Sequence, residues 1–233
     1  MRKLSRCLAA SFLLLFAASQ TAFAGGTIGT LGIQNKGKTI AVVSISANNY
    51  GGSLQGWNSA NASDLMGTQL NQMVGLIETL FSKDWTVVSA STFAGKDEFQ
   101  VLAGERREVG LPVFDGKTMP LFSKDRKQLI KAEVDKDVAI KLAKIAGADF
   151  ILIAYSEWAV ATGRFVPTSK ALAKNVVSIY RADGKKVYGD RSDAQGNKTL
   201  GAMGSVMVDQ NSIGEWVAAY DKGIHALYGV PRD

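Results

Sequence analysis

The chain has 233 residues, of which 46% are hydrophobic and 21% charged, and its formal net charge is +6. It contains one cysteine, Cys7, and one histidine, His225. These counts exclude an internal disulfide and make a thiolate metal site, a zinc site or a Ser-His-Asp triad unpromising. We therefore expect no cofactor and no bound metal.

Met1–Ala24 has the organisation of a signal peptide that is removed on export. A positively charged start precedes the apolar core Leu8–Ala18, and Ala22-Phe23-Ala24 is a small-x-small cleavage site. The apolar core is shorter than the ~20 residues that a membrane helix needs. We therefore expect no integral membrane span after cleavage and a soluble protein that is periplasmic or secreted.

Two further expectations follow from the leader. Cys7 precedes the apolar core instead of following it, which predicts that the mature protein is not a lipoprotein. Cleavage also removes three positive charges (Arg2, Lys3 and Arg6), which halves the net charge. The remaining charge is too small to indicate a nucleic-acid partner.

The first half of the mature chain alternates strands and helices. Residues 25–38 are rich in Gly, Thr and Asn and predict a flexible N-terminal segment, followed by a single domain over residues 39–233. The predicted elements are a strand Thr39–Ser46, a helix from Ser63 or Asp64 to about Lys83, a strand Trp85–Ser91, a short helix within Lys96–Glu108 and a loop over residues 110–124.

The domain is organised around Asp135–Ala159. Apolar residues at helical spacing lead to Gly147, which accepts the left-handed conformation that ends a helix. The apolar run Phe150–Ala154 follows, and such a run is typical of a strand buried on both faces. A helix that passes through glycine into a buried strand is half of an α/β unit.

The second half predicts a late antiparallel hairpin and a C-terminal helix. Strands Ala173–Tyr180 and Lys185–Arg191 flank Asp183-Gly184, a strong hairpin signal, and residues 194–208 predict a loop. Ser212 and Glu215 form a capping-box pattern before a last helix to about Tyr228. The fold class is therefore α/β (α+β), a single domain with a mixed sheet and helices packed against it.

The loop Ala47–Asn61 is the place where the sequence predicts a ligand. It leaves the carboxyl end of the first strand and precedes a helix, where open α/β sheets bind ligands. Its amides and aromatic rings suit glycans or peptides, but the same aromatic rings could simply pin a long loop to the domain. The candidate ligand-binding residues are Asn48, Asn49, Tyr50, Gln55, Trp57 and Asn58.

The order of the elements resembles a group of bacterial envelope domains. This group is typified by the TolB N-terminal domain, the curli secretion protein CsgG and the penicillin-binding-protein activator LpoB. The resemblance lies in IAVVSIS after Thr39, WTVVSAS after Asp84, the Ala143–Ala154 segment and the hairpin Asn175–Asp190. It implies an envelope interaction or assembly module without catalytic residues. Several members are lipoproteins, which the position of Cys7 does not match.

Three functions stay open at this level. The first is an exported, non-enzymatic module that binds another envelope protein or further copies of itself. The second is a protein that binds a glycan, a peptidoglycan fragment or another small ligand through Ala47–Asn61. The third is a hydrolase that uses a pair of carboxylates, because separation in space cannot be read from the sequence.

Overall fold

A computed structural model describes residues 26–49, 54–55, 60–104, 113–115, 120–163, 165, 168–202 and 206–230. Side chains are described within these ranges except at 54–55, 60–64, 66 and 113–115. The predicted signal peptide lies outside the described residues, as do Tyr50, Trp57 and Asn58 of the predicted ligand loop.

Helices and mostly short strands are interspersed in the first part of the chain, and three long strands then follow one another. In chain order the described elements are α1 (Ile28–Gln34), β1 (Thr39–Asn48), β2 (Leu54–Gln55), α2 (Ala60–Phe81), β3 (Thr86–Val87), a 3-10 turn (Ala90–Thr92), α3 (Asp97–Gly104), β4 (Val113–Asp115), α4 (Arg126–Leu129), α5 (Lys136–Ala146), β5 (Phe150–Thr162), β6 (Thr168–Arg181), β7 (Lys186–Ala202), β8 (Val206–Met207) and α6 (Ile213–Tyr228).

The main sheet is mixed, with strand order β3-β1-β5-β6-β7. β1 is parallel to both β3 and β5, whereas β5, β6 and β7 are successively antiparallel. β4 pairs antiparallel with the end of β1, on the edge that β3 occupies at its start. β2 and β8 form a separate parallel pair. The predicted α+β class, mixed sheet, late hairpin and C-terminal helix are confirmed.

The strand at the centre of the domain is buried as predicted. Every residue of Phe150–Ala154 is at most 4% exposed. The preceding helix ends at Gly147, whose φ of 68° is the left-handed conformation predicted for it. β5 is much longer than the apolar run, because β6 pairs with it as far as Thr162.

α6 covers one face of the sheet. Trp216 stacks on Trp158 of β5, with ring centroids 6.3 Å apart, and its indole N–H donates to the Ala159 carbonyl. On the opposite face, the segment before α5 is held by hydrogen bonds to the strands. The Ser178 hydroxyl donates to the Lys131 carbonyl, and the Tyr180 hydroxyl accepts from the Val134 amide.

The N-terminal segment differs from the flexible stretch that its composition predicts. Residues 28–34 form α1, and the Thr27 hydroxyl accepts from the Thr30 amide to cap it. The glycines in this helix allow close packing: Gly29 lies against Tyr228 of α6, and Gly32 lies against Trp85. The contacts with the domain stabilise a helix that local propensity disfavours.

Three other local predictions are wrong. The predicted strand Trp85–Ser91 is a strand only at Thr86–Val87, because Glu78 of α2 accepts from the Ala90 amide and the chain turns there. Residues 194–202 are strand, because they pair with β6. Ser212 makes no capping bond within α6; the Glu215 carboxylate accepts from the Lys198 amide instead.

Candidate functional site

The predicted ligand loop begins later than expected. β1 continues through Asn48, because Asn48 pairs with Val113 of β4 on one side and with Glu157 of β5 on the other. Asn48 and Asn49 are therefore buried at the end of the sheet and are not exposed loop residues. Gln55 lies in β2, in register with Met207 of β8. Of the six predicted site residues, the structure thus places only Asn48 and Asn49 with their side chains.

Asn48 begins a line of polar residues that crosses four neighbouring strands. In the sheet register, Asn48 is opposite Glu157, Glu157 is opposite Lys174, and Lys174 is opposite Asp193. Directly paired residues point to the same face of a sheet. We call these four residues the polar row. They lie on the face opposite α6, since Trp158 and Ala173, which alternate with them, are on the α6 side.

Ion pairs hold the charged members of the polar row. The Lys174 ammonium lies 2.7 Å from Glu157 Oε1. Arg191, two residues before Asp193 on β7, makes two hydrogen bonds of 2.7 Å to the Asp193 carboxylate, from Nε and Nη2. This bidentate contact raises the pKa of the Arg191 guanidinium. The charges of the row therefore alternate in sign and have fixed positions.

Exposure increases along the polar row toward the edge of the sheet. Asn48 is 1% exposed, and the side chains of Glu157, Lys174 and Asp193 are 20%, 27% and 42% exposed. Half-buried charges are less screened than fully exposed ones. The charges of the row would therefore interact with a partner most strongly near β5 and β6. They would be most accessible to it at β7.

Tyr155 closes the buried end of the row. Its hydroxyl donates to Asn48 Oδ1 at 2.7 Å, and burial raises the pKa of Tyr155 above its usual range. Tyr155 thus stays protonated and acts as a hydrogen-bond donor. The Asn48 amide nitrogen is buried and has no hydrogen-bond partner within the described part of the chain.

This arrangement can recognise a partner by hydrogen bonds and by complementary charge. The sequence does not reveal this arrangement, because the register between strands is not local information. One signal was present: in β6, the larger residues Lys170, Leu172 and Lys174 alternate with Ala171 and Ala173. That period of two predicts two different faces, of which one carries the lysines.

The single histidine has structural contacts. His225 is buried in α6, and its Nδ1 lies 2.9 Å from the Asp221 carbonyl oxygen and 3.2 Å from the Asp221 carboxylate. Among the described residues, no three side chains of the metal-ligating types lie close enough together to hold an ion. None of the described helices is long and apolar enough to span a bilayer.

The fold is an α+β domain, and the polar row lies on the face of its sheet opposite α6. No protein-family model matches the chain, and no curated protein matches it significantly. Solved structures do match. The lipoprotein GNA1162 from Neisseria meningitidis is 12% identical with a TM-score of 0.36, and the match covers 78% of this chain and 94% of that one.

Two further solved structures match over similar lengths. The hypothetical protein CT253 from Chlamydia trachomatis is 12% identical with a TM-score of 0.37, over 82% of this chain and 91% of that one. The LpoB C-terminal domain from Salmonella enterica is 16% identical with a TM-score of 0.30, over 73% and 96%. LpoB is one of the proteins that the sequence resembles, and this resemblance is confirmed. Identities this low carry no function from these proteins to the chain.

The prediction that the mature protein is not a lipoprotein is wrong. The position of Cys7 predicts a mature protein that is not a lipoprotein, but a lipoprotein is among the structures that the chain matches. The prediction used only the order of Cys7 and the apolar core in the leader, which lies outside the described residues. It is withdrawn.

Proposed function

We propose that the chain is an exported, non-enzymatic interaction module of the bacterial cell envelope. It binds another envelope protein through the polar row and the adjoining edge of β7. The polar row is the observation that carries this proposal, because ion pairs fix its charges in one plane of the sheet. A rigid pattern of alternating charge selects partners by complementarity and disfavours partners of the wrong pattern.

The edge strand β7 also supports the proposal that a partner binds at this surface. β7 has 17 residues, and β6 is its only strand partner among the described residues. Lys170 pairs with Thr199 and Leu172 with Gln195, so β7 bulges between these pairs. Bulges and charged residues protect an edge against unspecific strand addition. β7 is therefore suited to selective docking beside the polar row.

The proposal is tested by quantitative capture from an envelope extract. The tagged mature chain should recover the same envelope protein in replicate experiments. A variant with Arg191→Asp and Asp193→Arg keeps the local ion pair but reverses the charges at the exposed end of the row. We expect this variant to lose most of the captured protein.

The chain offers a matched control on the turn between β6 and β7. Arg181 and Asp183 form a similar ion pair, also two residues apart and about half exposed. Exchanging them also disturbs the turn, because Asp183 accepts from the Lys185 amide. The control should nevertheless capture normally. If nothing is captured reproducibly, or if both variants capture equally, the proposal is wrong.

A glycan or small-ligand function of the Ala47–Asn61 segment is the second candidate. The buried Asn48 amide nitrogen favours it, because this donor has no acceptor in the described part of the chain. A ligand with a hydroxyl or carboxylate group could supply that acceptor. The test is binding of peptidoglycan fragments by the wild type and by Trp57→Ala. Equal binding, or none in either protein, removes this candidate.

A further inference from the structure

A second concave surface lies between α3 and α5, away from the polar row. It is a groove of about 640 Å³, which we call the α3–α5 groove. Its floor is apolar and consists of Val101 and Leu102 of α3 and Ile145 of α5. Val101 is 65% exposed, although the other two large apolar residues of its helix, Phe99 and Leu102, are buried. The groove thus exposes the aliphatic side chain of Val101 to solvent.

Positive charge lines the α5 side of the groove. Lys141 and Lys144 are three residues apart and share one helix face. Both are exposed, and neither forms an ion pair with another described residue. Both lysines line the groove, so their positive charge lies on its α5 side.

Three other charged residues, Lys96, Asp97 and Glu98, also line the groove. The Lys96 ammonium donates to the Ile145 carbonyl at 2.8 Å, so it satisfies the end of α5. Asp97 and Glu98 occupy the first turn of α3, where the helix dipole favours negative charge. Among the described residues that line the groove, an occupant would meet lysines along one wall and carboxylates at the start of α3.

We propose that the α3–α5 groove binds an acidic segment of a partner protein that also carries aliphatic side chains. The aliphatic side chains lie on Val101, Leu102 and Ile145, and the acidic side chains face Lys141 and Lys144. This proposal rests on the proposed role as an interaction module. It uses none of the residues of the polar row, so the two surfaces can fail independently.

The test uses two designed helical peptides of about 18 residues, or five turns. Both carry the same leucine stripe; one has glutamates beside the stripe and the other has lysines. We expect the purified mature chain to bind the acidic peptide more tightly in fluorescence anisotropy. The double variant Lys141→Glu with Lys144→Glu should bind the acidic peptide about tenfold more weakly and should prefer the basic peptide. Val101→Ser should weaken both peptides without changing their order.

The control variant carries the same change of charge elsewhere. Lys127→Glu with Lys131→Glu replaces two exposed lysines outside the groove and should bind like the wild type. The proposal is overturned if both double variants behave alike or if the wild type does not prefer the acidic peptide. It is also overturned if the groove lysines are needed only for binding to vesicles containing phosphatidylglycerol. Capture through the polar row is measured in parallel, so failure here leaves the proposed function separately tested.

Discussion

Gly223 of α6 lies directly against the side-chain amide of Asn175 in β6. The side-chain oxygen Oδ1 of Asn175 accepts from the Ser156 hydroxyl at 2.7 Å, and all three residues are buried in the contact between α6 and the sheet. A Cβ at residue 223 would collide with the amide nitrogen of Asn175. The close approach of helix and sheet therefore depends on the absence of a side chain at Gly223.

Gly223→Ala should destabilise the domain by about 1–3 kcal/mol, the usual cost of overpacking a core. The measurement is the free energy of unfolding in urea. Gly214→Ala is the matched control, because a Cβ at residue 214 of the same helix meets nothing within 4 Å. It should be neutral or raise stability by up to about 1 kcal/mol. Equal effects of the two substitutions would contradict the packing described for Gly223.

Trp216→Phe should lower the free energy of unfolding by about 1–3 kcal/mol, because it removes the hydrogen bond to Ala159 and part of a buried ring. Trp85→Phe provides the comparison. The Trp85 indole nitrogen is buried without a hydrogen-bond partner in the described part of the chain, so its removal forfeits no bond. The unfolding free energies should therefore show the larger loss for Trp216. The reverse order would contradict the contact between Trp216 and Ala159.

The Asp149 carboxylate should make stability depend on acidity. The Thr39 backbone N–H lowers the pKa of Asp149, and the Thr39 hydroxyl and Lys38 act in the same direction. A lowered pKa means that the stabilisation is present above the unfolded value of 3.8 and is lost as the pH falls through the lower folded value. Asp149→Asn should thus be less stable than the wild type at neutral pH, and the difference should shrink in acid.

Urea unfolding at neutral pH and at about pH 3, below the unfolded pKa of an aspartate, measures this difference. Thr39→Val tests the partner, since the Thr39 hydroxyl also accepts from the Asp149 amide at 2.9 Å. Thr39→Val should lower the free energy of unfolding less in the Asp149→Asn protein than in the wild type, because the two residues share their contacts. A difference that is unchanged in acid would contradict the role given to the carboxylate.

The sequence predicts the central unit well because its signals are local. The Gly147 terminus, the buried run Phe150–Ala154 and the Asp183-Gly184 turn each depend on a few neighbouring residues. α1 is missed because contacts of Gly29 and Gly32 with distant aromatic rings stabilise it. The end of β7 is missed for a related reason: small polar residues become strand there through pairing with β6.

The candidate site shows the same limit. The sequence points to the carboxyl end of β1, where Asn48 lies. Its partners Glu157 and Lys174 are more than a hundred residues away, so only the strand register brings them together. The capping-box pattern fails similarly, because Glu215 has a non-local partner in the Lys198 amide.

Reversal of the three charges of the polar row, together with that of Arg191, tests the central claim most directly. Glu157→Lys, Lys174→Glu, Arg191→Asp and Asp193→Arg, made together, preserve each ion pair and the net charge but reverse the pattern that the surface presents. Such pairs contribute at most about 1 kcal/mol each, so the variant should fold with nearly unchanged stability. Its dissociation constant for the captured envelope partner, measured by calorimetry, should be at least about tenfold weaker than that of the wild type. A folded variant that binds as tightly as the wild type would contradict recognition through the polar row.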